Sequence, residues 1–160
     1  MATDNKKKGD EKQLDEAVMD HFIQGGTFKD LQKMSDESME AIYSVAYSLY
    51  QSGKYDEAVQ IFQFLCFYDH FNKKYFLGLG ACQQMLKKYS SAIEIFTLAT
   101  VLDADDPRAM VYLGDCYLAT DNREKAQEAY ETAIEWAGSR TEYAGEKERA
   151  KTMLGNIQRS

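Results

Sequence analysis

The sequence is poor in helix breakers, with a single proline, Pro107, and ten glycines among 160 residues. Long uninterrupted helices are therefore permitted almost everywhere. Cysteine is scarce: Cys66, Cys82 and Cys116 are an odd number without paired spacing, which excludes a disulfide framework and suits a reducing compartment. No run approaches the roughly 20 apolar residues of a membrane span, and no apolar stretch follows Lys6-Lys7-Lys8. Neither membrane insertion nor an export leader is expected, and the expected location is the cytoplasm. Positive charge is also in deficit, with 19 Lys and Arg against 26 Asp and Glu and a formal net charge of −7. Such a balance repels a phosphate backbone, so no nucleic-acid role is expected.

The residues of catalysis and cofactor binding are missing as well. There is no P-loop, no dinucleotide fingerprint behind a strand and no H-E-x-x-H. Gly78-Leu79-Gly80 has the form G-x-G but falls inside a helical repeat, where Gly80 has a packing role. Cys66 and His70 are four apart, so on a helix they would share a face and could ligate a metal, yet no second pair completes a site. Cys82 and Cys116 occupy one repeat position and read as small packing residues. His21 reads as a core or interface residue. No catalytic residue, cofactor or metal is expected, and the chain is not expected to be an enzyme.

What the chain does contain is a 44% apolar fraction, enough for one domain's core, and a repeat. Three units follow each other at a spacing of 34 residues. Ala58, Ala92 and Ala126 correspond, as do Phe62, Phe96 and Tyr130, then Leu65, Ala99 and Ala133. Upstream, Ala46, Gly80 and Gly114 form one column, Val45, Leu79 and Leu113 another, and Ile42, Phe76 and Met110 a third. Each unit reads as two helices and a turn, for instance Met39–Gln51, Ser52-Gly53-Lys54 and Tyr55–Tyr68. Small residues let the two helices approach while large apolar ones fill the space around them. Spacing and residue classes match the tetratricopeptide repeat over 39–140, in units 39–72, 73–106 and 107–140. The pattern departs at Gln83, where Leu49 and Tyr117 stand in the other units, and at Arg123, in place of the aromatics Tyr55 and Tyr89. The third unit is the weakest match.

The expected fold is thus all-α, a solenoid of three tetratricopeptide repeats with flanks. Residues 1–10 read as a disordered tail. An N-terminal helical region covers 11–38, with an amphipathic helix Glu11–Gln24 carrying Leu14, Val18 and Phe22, stopped by Gly25-Gly26. Thr27 then caps a short helix with Phe28, Leu31 and Met34, and Ser35 caps the first repeat helix. Residues 141–160 read as a charged capping helix with a thin stripe of Tyr143, Ala150, Leu154 and Ile157.

In such arrays the first helices of the units line a concave binding face. Outward positions there are Tyr43, Ser44, Tyr47 and Tyr50 in the first unit, Lys74, Leu77, Gly78, Ala81 and Gln84 in the second, and Arg108, Val111, Tyr112 and Asp115 in the third. Tyrosine, leucine and alanine suit an extended apolar peptide better than a carboxylate terminus, which calls for Lys, Arg and Asn. The alternative for the tyrosine stripe is packing under the N-terminal helices or a dimer partner.

Leu65-Cys66-Phe67-Tyr68-Asp69-His70 and Phe76-Leu77-Gly78-Leu79-Gly80-Ala81-Cys82-Gln83-Gln84, followed by Asp106-Pro107-Arg108, resemble the class II chaperones of type III secretion, the LcrH/SycD group. The resemblance implies a bacterial cytoplasmic chaperone that binds hydrophobic translocator proteins through an extended segment and keeps them soluble and apart before export. It implies peptide contacts at Tyr43, Tyr47, Tyr50, Leu77, Ala81 and Gln84, to which the groove positions add Lys74, Tyr112 and Asp115. It further implies a homodimer, with Leu14, Val18, Phe22, Phe28 and Leu31 at the interface. A generic scaffold joining soluble proteins is the alternative.

Overall fold

The structure is a computed structural model that describes residues 16–160. The tail expected at 1–10, the start of the N-terminal helix and Leu14 lie outside the described residues. Among the described residues there is no strand. The helices are α1 (16–23), α2 (Phe28–Leu31), α3 (Asp36–Gln51), α4 (Tyr55–Tyr68), α5 (Lys73–Met85), α6 (Tyr89–Leu102), α7 (Arg108–Ala119), α8 (Arg123–Ala137) and, after a 3₁₀ turn at Thr141–Tyr143, α9 (Ala144–Arg159). From α3 to α9, each helix packs on the next one along the chain. The three pairs α3–α4, α5–α6 and α7–α8 stack into a solenoid.

The caps are legible in the residues. Ser35 Oγ accepts the Ser38 amide at 3.0 Å, so α3 starts three residues before Met39. Thr27 and Asp30 form a reciprocal capping box, which explains how a four-residue helix persists at α2. Each first helix of a pair ends in one geometry. Gly53, Lys87 and Asp121 turn left-handed with φ of 76°, 59° and 59°. The next amide then bonds back five residues, from Lys54 to the Leu49 carbonyl (2.9 Å), Lys88 to Gln83 (2.9 Å) and Asn122 to Tyr117 (2.8 Å). This is the Schellman closure, and only the first copy has the glycine that normally supplies it.

The core forms where small and aromatic columns meet. Ala58, Ala92 and Ala126 are fully buried, and so are the rings of Phe62, Phe96 and Tyr130 one turn further along. A methyl group on Gly80 would lie 2.5 Å from the Phe96 ring, and one on Gly114 would lie 2.5 Å from Tyr130. The small column of the first helix is therefore the seat of the second helix's aromatic ring. In the first pair, where Ala46 stands in that column, the Phe62 ring lies against Gly78 of the next unit. The third pair is as regular as the others despite Arg123, with Ala126, Tyr130 and Ala133 all fully buried.

Two expected orientations are overturned at the ends of the stack. Val45, assigned to the core with Leu79 and Leu113, is 53% exposed, while its two counterparts are buried. Leu79 and Leu113 lie on helices covered by a preceding second helix, α4 or α6; α3 is the first in the stack and has no such neighbour. Val111, expected to face the groove, is 1% exposed and packs with Ala126, Tyr130, Ala133, Ala150 and Leu154. Here α9 folds back onto α7 and α8 and covers that face. Within α9, Ala150, Leu154 and Ile157 pack inward as expected. Tyr143 stays in the 3₁₀ turn, beneath the guanidinium groups of Arg140 (4.7 Å) and Arg108 (6.0 Å).

The N-terminal layer sits on the end of α4. Phe22 meets Phe28 at 4.7 Å between ring centres, and Phe28 stacks on Phe67 at 4.5 Å. The His21 ring occupies the space where a side chain on Gly26 would stand, and its Nε2 bonds the Thr27 carbonyl at 2.9 Å. Glycine at position 26 is thus required by close approach.

Candidate functional site

The feature with site-like geometry runs across the first helices of the three pairs. α3 supplies Tyr43, Tyr47 and Tyr50, α5 supplies Lys74, Leu77, Gly78 and Ala81, α7 supplies Arg108 and Tyr112, and α9 closes the end with Glu146. Together they line an open cleft of about 400 Å³. The side chains reach it because residues three and four apart share a helix face, which puts the three tyrosines of α3 on one side. Tyr43 and Tyr47 stack at 6.1 Å, and Tyr43 also packs edge-on against buried Phe62 at 5.9 Å. Tyr112 stacks on Phe96 at 5.2 Å. The rings are held by the repeat core, so their faces are preorganised before anything binds.

Burial raises the phenols of Tyr43, Tyr50 and Tyr112 above the ordinary tyrosine value, and they remain neutral donors at physiological pH. The two cations of the cleft are already engaged. Lys74 Nζ lies 2.6 Å from Glu40 and 4.1 Å from the centre of the Tyr43 ring. Arg108 forks onto Asp106, with Nη2 2.6 Å from Oδ2 and Nε 3.0 Å from Oδ1. Burial alone would raise the Asp106 carboxyl, but hydrogen bonds from Arg108 and Lys73 outweigh it and hold it at about 2.

Seven of the nine expected peptide-contact residues come together here: Tyr43, Tyr47, Tyr50, Lys74, Leu77, Ala81 and Tyr112. Gln84 and Asp115 are not among the residues lining the cleft. Asp115 instead ties three helices, accepting the Tyr130 hydroxyl at 2.7 Å and pairing with Arg149 of α9 at 2.5 Å. Ser44 lines a separate shallow groove with Val45 and Ser48. Glu146 escaped the sequence reading. The signal was present, since one further step of 34 residues leads from Gly78 and Tyr112 to Glu146.

Of the residues expected at a dimer interface, Val18, Phe22, Phe28 and Leu31 are all half-buried within the protomer. Exposed apolar residues of this end are Met19 and Ile23 on α1, Phe67 at the end of α4 and Phe71 in the turn after it. The three thiols are buried, and burial pushes each up to about 12, far from a reactive thiolate. Among the described residues, no three His, Cys, Asp or Glu side chains gather in a way that could hold a metal, and no helix is long and apolar enough to cross a membrane.

Comparison with known proteins agrees with this geometry. Tetratricopeptide-repeat family profiles match residues 39–72 and 77–156, the second extending through most of α9. The low calcium response locus protein H of Yersinia pestis is 35% identical over 141 residues, spanning 88% of this chain and 84% of that protein. The type III secretion translocator chaperone SycD of Yersinia enterocolitica superposes with a TM-score of 0.81 at 34% identity, covering 82% of this chain and 98% of SycD. SycD has also been solved in complex with a peptide of the translocator YopD, and that structure superposes with a TM-score of 0.75 at 34% identity over 78% of this chain and 95% of the other. With repeat-family profiles matching 39–72 and 77–156 and likeness across most of both chains, this chain belongs to the tetratricopeptide-repeat family of type III secretion translocator chaperones.

Proposed function

We propose that the chain is a cytoplasmic chaperone that takes an extended apolar segment of a translocator protein into the cleft, keeping the client soluble until export. The observation that carries this reading is the lining itself. Four tyrosines, three from α3 and one from α7, flank Leu77, Gly78 and Ala81 of α5, so flat rings and small residues offer apolar area while the hydroxyls are placed to bond the main chain of a peptide. Rigid aromatic faces bury area at low entropic cost. No nucleotide or metal is needed, since mass action and the export machinery can govern loading and release. The translocator peptide bound by SycD supports the choice of client class.

Self-association is part of the proposal. We assign it to the N-terminal layer, where Val18, Phe22, Phe28 and Leu31 form the packed base and Met19 and Ile23 stand exposed beside Phe67. Co-expression with the hydrophobic translocators of the same genome tests the chaperone reading. An otherwise insoluble translocator should become soluble and co-purify, and Tyr43→Ala with Tyr47→Ala should abolish the rescue while helicity is retained. Retention of proteins that are already soluble, with no rescue of a translocator, would favour a generic scaffold instead.

A further inference from the structure

We infer that the client segment carries a basic side chain, lysine or arginine, which the cleft receives at its α9 end through Glu146. This inference rests on the peptide-binding reading above and adds a specificity determinant to it. Of the three charged residues in the cleft, two are neutralised from outside it, Lys74 by Glu40 and Arg108 by Asp106. Glu146 has no ion-pair partner among the described residues.

The two cations nearest to it along its own helix are both engaged elsewhere. Lys147 Nζ donates to the Gly138 carbonyl at 2.6 Å, and Arg149, one turn on, is held by Asp115 at 2.5 Å. The position of Glu146 in the first turn of α9 makes the charge favourable there but leaves it without a counter-ion. A half-buried carboxylate at the end of a cleft lined by tyrosine is thus, among the described residues, the cleft charge left for a ligand to match. Aromatic faces and an acid together are the chemistry that receives an ammonium or guanidinium group. The chain's net charge of −7 draws a basic segment toward it at longer range.

The test uses synthetic peptides of about nine apolar residues, each with one position scanned through Lys, Gln and Glu, titrated against the full-length protein, Glu146→Gln and Glu146→Lys. The wild type should prefer Lys over Gln at one register position by about fivefold, less at high salt. In Glu146→Gln the Lys-to-Gln ratio should fall toward one, and in Glu146→Lys the preference should pass to Glu at the same position. A Lys preference spread over all positions, or one that survives Glu146→Gln, would overturn the assignment in favour of the overall charge. If the uncharged peptides bind and lose affinity with Tyr47→Ala but show no Lys preference, this inference falls and the groove reading stands. If no peptide binds at all, both fall.

Discussion

Alanine in place of glycine should act with opposite sign at two helical positions, and a tyrosine ring is the reason. A methyl group on Gly114 would stand 2.5 Å from Tyr130 Cε1, 2.7 Å from Cζ and 2.8 Å from Cδ1. Carbon atoms rest at about 3.5–4 Å, so the ring must shift by about 1 Å. It has little freedom to do so. Tyr130 is fully buried, and its hydroxyl is anchored to Asp115, which Arg149 holds in turn. Overpacking of this kind costs about 1–3 kcal/mol, against a helix-propensity gain of up to about 1 kcal/mol. Gly114→Ala should therefore lose about 1–2 kcal/mol. At Gly145 in the first turn of α9 a methyl group would meet nothing within 4 Å, and Gly145→Ala should gain a few tenths to about 1 kcal/mol. For a chain of this size each kcal/mol moves the melting temperature by about 2–4 °C. Calorimetry should find Gly114→Ala melting about 3–6 °C below the wild type and Gly145→Ala at or slightly above it. A Gly114→Ala protein as stable as the wild type would mean that the ring does not lie on α7, and the packing of α7 on α8 would have to be redrawn.

The Asp106 carboxyl is 4% exposed and held at about 2 against an ordinary 3.8, so its folded value is depressed. Its contribution of about 2 kcal/mol should be present above about pH 4 and disappear as pH falls through about 2; the stability gap between wild type and Asp106→Asn, read by denaturant titration, should close over that window. A gap that stays constant with pH would contradict the ion network. Gln83 is buried with its Oε1 unbonded, at the position where Leu49 stands in the first unit. Gln83→Leu should raise the urea midpoint by an amount worth about 1–2 kcal/mol, and a drop would show that the amide has a role not evident in its contacts. Ala92→Glu places a charge at a fully buried contact of α6 and should cost several kcal/mol, enough to abolish cooperative thermal unfolding; a helical variant that still melts cooperatively would refute the register.

Much of the fold was legible because the repeat is written in chemistry that acts locally. The alanine and aromatic columns recur every 34 residues, and the helix pairs follow from them. The tyrosine stripe of α3 was legible for the same reason, since helical spacing alone sets its face. What escaped depends on neighbours distant in sequence. Val45 and Val111 change sides because one lies where no earlier helix covers α3 and the other lies where α9 covers α7. Asp115 left the cleft because its partner, Arg149, arrives 34 residues later on that same helix, which also brings Glu146 in. The turn at Gly53 was readable, but Lys87 and Asp121, where the same left-handed turn strains the backbone, carry no glycine to mark it.

Isothermal titration of a translocator-derived segment into the wild type and Tyr47→Ala tests the groove most directly. Tyr47 projects into the cleft and is 47% exposed in the free protein, so its removal should leave the melting temperature within about 2 °C of the wild type. A tyrosine anchor of this kind is worth about 2 kcal/mol, and affinity should fall about thirtyfold. Unchanged affinity in a folded Tyr47→Ala protein would contradict the assignment of this cleft as the client-binding surface.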